Sequence, residues 1–199
     1  VITVETTLRP RKDTKLGLRG QHQVANALVA HAILNALPKP FGPVGKTLPA
    51  SFADAYIPGR FEKRGKWLFD VAHNPDGMRA LSRALPEIFR RGRFDFLLGI
   101  LDNRPVEEMA GLLAPLARRV VVTTVPGGTA PSASVERVAA AFSGSGAIIA
   151  SIPDPADALD RALDGLPADG LLCVCGSLYL LGTIRGMLLR PGSAGAGSD

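Results

Sequence analysis

The chain has 199 residues, of which 46% are apolar and 6% aromatic, with a net charge of +5; this profile suits a globular protein with a sizeable core. No run approaches the roughly 18 apolar residues that span a bilayer, and the opening VITVETT lacks the basic start and apolar stretch of a secretory leader, so no membrane partner and a cytoplasmic location are expected. The charge gathers in RPRK (9–12), KRGK (63–66) and RRGR (90–93). No stacking or finger motif for nucleic acid accompanies it, and a basic surface for anionic small molecules fits it equally well. Charge alone does not decide between them; small molecules and no nucleic acid are the partners expected from the motifs below.

In chain order, VITVETTL (1–8) reads as a strand. A helix follows over 21–37, where Val24, Leu28, Ala32 and Leu34 recur at helical spacing. The stretch FGPVGKT (41–47) ends like a phosphate-binding loop, yet Pro40 stands where G-x-x-x-x-G-K-[ST] needs its first glycine. Pro43, inside the would-be cradle, has no N–H to offer a phosphate. The segment 38–58 is therefore read as a Pro/Gly-rich connector with one helical turn near 51–55. It marks the expected domain boundary: 1–57, then 58–190, then a flexible Gly/Ser-rich tail over 191–199.

Beyond the connector the pattern becomes regular. KWLFDVA, FDFLLGIL, RVVVTTV, AIIASI and GLLCVCG read as buried strands. DGMRALSRALPEIFRR, VEEMAGLLAPLA, SASVERVAAAF, PADALDRALDGL and LYLLGTIRGMLL read as the helices between and after them. Nearly continuous apolar strands, each followed by an amphipathic helix, imply an α/β fold, a Rossmann-like open doubly wound sheet, mostly parallel and covered on both faces. Cys173 and Cys175 alternate along the last strand, share a face, and are read as small buried residues rather than a disulfide or redox pair.

In such a sheet ligands gather beyond the carboxyl ends of the strands, which draws attention to three segments. In PGRFEKRGKWLFDVAHNPDG, Arg60 can meet a phosphate or stack on a base, Asp70 closes a strand where a carboxylate can accept from a ribose, and His73 and Asn74 occupy the strand-to-helix loop. Capping of the following helix by Asp70 and Asn74 is the plainer alternative. In VCGSLYLLGTIR, Gly176 permits a tight turn and Ser177 opens the last helix, either as an anion site or as its cap. In GQHQVANA, His22, Gln23 and Asn26 stand at a helix start, again as caps or as a site, and no metal pair is expected there. The G-x-G-x-x-G of a nicotinamide-binding dehydrogenase is missing from the first strand-to-helix turn.

Together, LGLRGQHQVANALVA, PGRFE, LFDVAHNPDG and VCGSLYLLGTIR resemble the successive C-terminal signatures of folylpolyglutamate synthase and dihydrofolate synthase, over roughly residues 1–190. The resemblance implies a Mur-ligase-like enzyme. An ATPase domain, of which residues 1–57 would be the last part, phosphorylates a substrate carboxylate, and the amine of L-glutamate attacks the acyl phosphate. It further implies that Asn26, Arg60 and Asp70 bind ATP, that His73 and Ser177 hold glutamate, and that folate or dihydropteroate is the acceptor. Magnesium accompanies ATP, with its ligands and the true phosphate loop expected upstream of Val1; this chain alone is then expected to be inactive, and a monomer. The chain departs from the family where LDNR (101–104) replaces a Lys-Asp pair and GGTAPSAS (127–134) replaces an arginine-bearing loop. The alternatives are another Mur-type amide ligase, or a non-catalytic binding domain that has kept the fold.

Overall fold

The structure, a computed structural model, describes residues 15–45 and 50–188. The strand read at 1–8, Lys46 and Thr47 of the loop-like motif, and the tail lie outside the described residues. The chain divides into two compact units, Val1–Arg60 and Phe61–Asp199.

In the first unit, helix α1 (His22–Ala36) buries only Gln23 and Ala27. The helix ends as Leu37 turns extended and Pro38 follows. The chain then doubles back: a Cβ on Gly42 would lie 2.1 Å from the Leu34 carbonyl, and Gly45 N–H donates to Asn35 Oδ1 at 3.1 Å. Residues 42–45 thus lie against the last turns of α1. A phosphate loop leads instead from a strand into a helix. The expected turn near 51–55 is a short 3-10 helix at Ala50–Ala53.

The second unit is built on a six-stranded sheet. Its strands are β1 (Glu62–Arg64), β2 (Trp67–Phe69), β3 (Phe94–Leu98), β4 (Ala117–Val122), β5 (Ile148–Ser151) and β6 (Leu172–Cys175), in the order β1-β2-β6-β3-β4-β5. From β2 to β5 all neighbours are parallel; β1 alone is antiparallel, joined to β2 by the two-residue turn Gly65-Lys66. Sequence patterning did not anticipate β1, because Glu-Lys-Arg on a sheet edge has no apolar run to announce it. Five helices connect or follow the parallel strands: α2 (Pro75–Phe89), α3 (Val106–Leu113), α4 (Val135–Ala140), α5 (Pro155–Asp164) and α6 (Leu178–Leu188). The helix expected over 106–117 stops at Leu113. Pro115 falls in a 3-10 turn, and Ala117 already opens β4.

Strand alternation divides the core into two layers. Phe94, Phe96, Leu98, Val120, Val122, Cys173 and Cys175 meet α2, α3 and α4 on one face. Leu97, Val121, Leu172 and Val174 meet α5 and α6 on the other. The sheet is therefore doubly wound, as its sequence pattern implies. Both cysteines are free thiols on the same face. A hydrogen bond with Cys175, then burial, pushes the Cys173 thiol well above the usual range, so it is no nucleophile.

Candidate functional site

The order of the strands selects one edge of the second unit. β2 and β6 are neighbours, with Leu68 beside Cys173. The chain leaves β2 for α2 on one face of the sheet and leaves β6 for α6 on the other. Loops that diverge in this way at the carboxyl edge make the usual ligand position of an open α/β sheet. Asp70, His73 and Ser177 stand on these two loops.

Asp70 is largely buried and accepts from two backbone amides, Phe61 N–H at Oδ2 and Ala72 N–H at Oδ1, each at 2.9 Å. The first bond holds Phe61 in a left-handed conformation, φ +49°, with its ring stacked on Phe89 at 5.9 Å between centroids. The capping alternative for Asp70 therefore fails. Asn74 is the cap of α2, accepting from Gly77 N–H at 2.8 Å, with Pro75 opening the helix. His73 Nδ1 lies 2.8 Å from the Val71 carbonyl. A carbonyl can only accept, so Nδ1 carries the proton and Nε2 is the ring atom left to meet a ligand.

Ser177 is buried, and its Oγ accepts from Tyr179 N–H at 3.2 Å, which makes it the cap of α6. Capping uses a lone pair and leaves the hydroxyl proton to donate. Gly176 before it has φ +97°, and a Cβ there would approach the Gly99 carbonyl to 2.4 Å. Gly176 N–H donates to the Ala72 carbonyl at 3.1 Å, and Gly99 N–H reaches the Cys175 carbonyl at 3.5 Å. Backbone bonds thus lace together the loops after β2, β6 and β3. The loop after β3 carries Arg104, whose Nε is buried without a hydrogen-bond partner. In the sequence this arginine is marked only by its place in LDNR, directly after an apolar strand.

The remaining expected residues belong to the first unit. Asn26 and Arg60 line one cavity of about 370 Å³, large enough for a small molecule. Its apolar wall includes Leu16, Leu18, Ala27, Ala30, Phe52 and Ile57, and Gln23 joins the polar side. The capping alternative fails here too: the residue at the N-cap of α1 is Gln21, whose side chain makes no capping bond. His22, Gln23 and Asn26 bond instead to one another. Burial of the ring, and then the charge of Arg60, hold His22 below the ordinary histidine range. Among the described residues no group of three or more His, Cys, Asp or Glu is placed to hold a metal, and no helix is long and apolar enough to cross a membrane.

Comparison with known proteins places these features in context. Residues 59–178 match the family described as Mur ligase, glutamate ligase domain. The chain is 36% identical over 123 residues to the dihydrofolate synthase/folylpolyglutamate synthase of Mycobacterium tuberculosis, covering 56% of this chain and 24% of that protein. It is 29% identical over 184 residues to the folylpolyglutamate synthase of Lacticaseibacillus casei, covering 89% of this chain and 41% of that one. Among solved structures, the M. tuberculosis folylpolyglutamate synthase complexed with ADP superposes with a TM-score of 0.75 at 26% identity, covering 90% of this chain and 43% of the other. The folylpolyglutamate synthase of Thermotoga maritima gives 0.67 at 27% identity, covering 90% and 41%. The chain thus spans less than half the length of the relatives it matches.

Proposed function

Because the chain belongs to the Mur ligase family through its glutamate ligase domain, we propose that it is the C-terminal part of an ATP-dependent ligase that joins L-glutamate to a folate or dihydropteroate carboxylate. The observation that carries the proposal is the edge formed by β2 and β6. There a laced set of loops presents a buried carboxylate, an imidazole and a buried hydroxyl in a domain of this family. In the reaction, the acceptor carboxylate takes the γ-phosphoryl group of ATP, releasing ADP. The amine of glutamate then attacks the acyl carbon, phosphate departs, and an amide remains.

Each residue has a task that its chemistry suits. Asn26 offers an amide to the base and Arg60 a guanidinium to the phosphates. Asp70, a carboxylate at a strand end, accepts from the ribose. His73 Nε2, when protonated, and the Ser177 hydroxyl donate to a carboxylate of glutamate. Magnesium would accompany ATP and neutralise phosphate charge; no described cluster of this chain is assigned to it. The enzyme works as a soluble cytoplasmic monomer on small molecules, without nucleic acid.

Steady-state kinetics of the whole protein test these assignments. Arg60→Ala should raise KM for ATP about tenfold or more and leave KM for glutamate near its original value; His73→Ala should do the reverse. Substitutions that lower both kinetic terms together, with no such division, would contradict the roles assigned.

A further inference from the structure

Asn26 is one end of a chain of side-chain hydrogen bonds. Its Nδ2 donates to Gln23 Oε1 at 3.0 Å, and Gln23 Nε2 lies 2.9 Å from His22 Nε2. An amide nitrogen only donates, so the imidazole Nε2 is the acceptor and His22 carries its proton on Nδ1. Each bond dictates the next. An acceptor at His22 turns the nitrogen of Gln23 toward it, which leaves the oxygen of Gln23 toward Asn26 and draws in the nitrogen of Asn26. Gln23 is only 6% exposed, so water is a poor substitute for either bond. Asn26 Oδ1 has no protein partner among the described residues, and both amides line the cavity.

The orientation of such an amide matters to a purine. A 6-aminopurine offers an N–H donor beside a ring-nitrogen acceptor, the pair that one asparagine amide meets with its oxygen and nitrogen together. A 6-oxopurine offers the opposite order on its N1/O6 edge, and an asparagine free to turn over could satisfy either. We propose that His22 and Gln23 are positioning residues that hold the Asn26 amide in one orientation and so make the cavity selective for a 6-aminopurine nucleotide over a 6-oxopurine one. This rests on the assignment of Asn26 to the nucleotide base.

The relay also has a pH limit. Protonating His22 makes Nε2 a donor that faces the donor of Gln23, and the relay must then reverse. Burial of the ring, and then the charge of Arg60, the charged group that acts on His22 among the described residues, lower its pKa from the ordinary histidine range. Selectivity therefore holds through neutral pH and declines in acid.

Two experiments test the proposal. A long-range 1H–15N spectrum of the 199-residue chain at neutral pH should show His22 as the Nδ1–H tautomer; the Nε2–H tautomer would overturn the relay. In the whole protein, kcat/KM for ATP over ITP should fall about tenfold in Gln23→Met. In His22→Gln, whose side-chain oxygen is an acceptor at any pH, the preference should survive and lose its acid decline. A Gln23→Met protein in which both nucleotides lose equally would assign Gln23 a purely structural role and overturn the proposal. A wild-type protein that uses neither nucleotide would overturn the ATP reading instead, while the tautomer result would still decide the relay.

Discussion

At the scale of single residues, the loops beyond the strands are held by backbone rather than by side chains alone. Gly176 shows this most directly. Its φ of +97°, and the 2.4 Å at which an added methyl group would meet the Gly99 carbonyl, leave no room for another residue. Gly176→Ala should therefore destabilise the protein by about 2–4 kcal/mol, from backbone strain plus displacement of the β3 loop, measured by denaturant unfolding. An effect below about 0.5 kcal/mol would mean that the loops are not laced as described. Asp70 illustrates how far a sequence can be read. Its place at a strand end was legible from the apolar run before it. Its partner Phe61 was not, because a left-handed phenylalanine nine residues earlier leaves no mark in composition or spacing. Likewise Gln23 reads as one more polar residue near a helix start until its burial is known.

At the scale of elements, the opposite edge of the sheet has a separate task. Asp95 lies at the start of β3 and is only 3% exposed. Arg118 Nε donates to its Oδ1 at 2.7 Å, and Arg119 Nε lies 3.6 Å from Oδ2. The two arginines also donate to the carbonyls of Arg161, Ala162 and Gly165 at the end of α5, where cations and donors complete the last turn of a helix. Burial lowers the pKa of Arg119, against the opposing attraction of Asp95. Asp95→Ala should cost about 3–5 kcal/mol of stability, because it leaves buried positive charge without a partner. Asp95 lies at the amino end of its strand, away from the carboxyl edge where the proposed site lies, so KM values of the surviving folded protein should not move. Unchanged thermal unfolding would show that the pair is dispensable. The elements themselves were legible wherever an apolar run met a helical repeat, as in FDFLLGIL and DALDRALDG. They were not legible where tertiary contact replaces pattern: β1 is polar and exists only through its pairing with β2.

At the scale of the whole molecule, two covered faces and one strand-order reversal in the second unit account for where Asp70, His73 and Ser177 stand. The sheet is closed by helices above and below, so its carboxyl edge is where residues that the fold does not require can gather. The positions of Asp70, His73 and Ser177 follow from that rule. The ligands do not, since a strand end is equally suited to many small molecules; the proposed chemistry rests on the family match. The most direct measurement is ADP release by the whole protein given ATP, magnesium and L-glutamate, with dihydropteroate, tetrahydrofolate or a UDP-linked muramyl precursor as the acceptor. ADP formation that requires glutamate and one of the two pteridine acceptors is the expected result. Release driven only by the muramyl precursor, or by none of the three, would contradict the assignment.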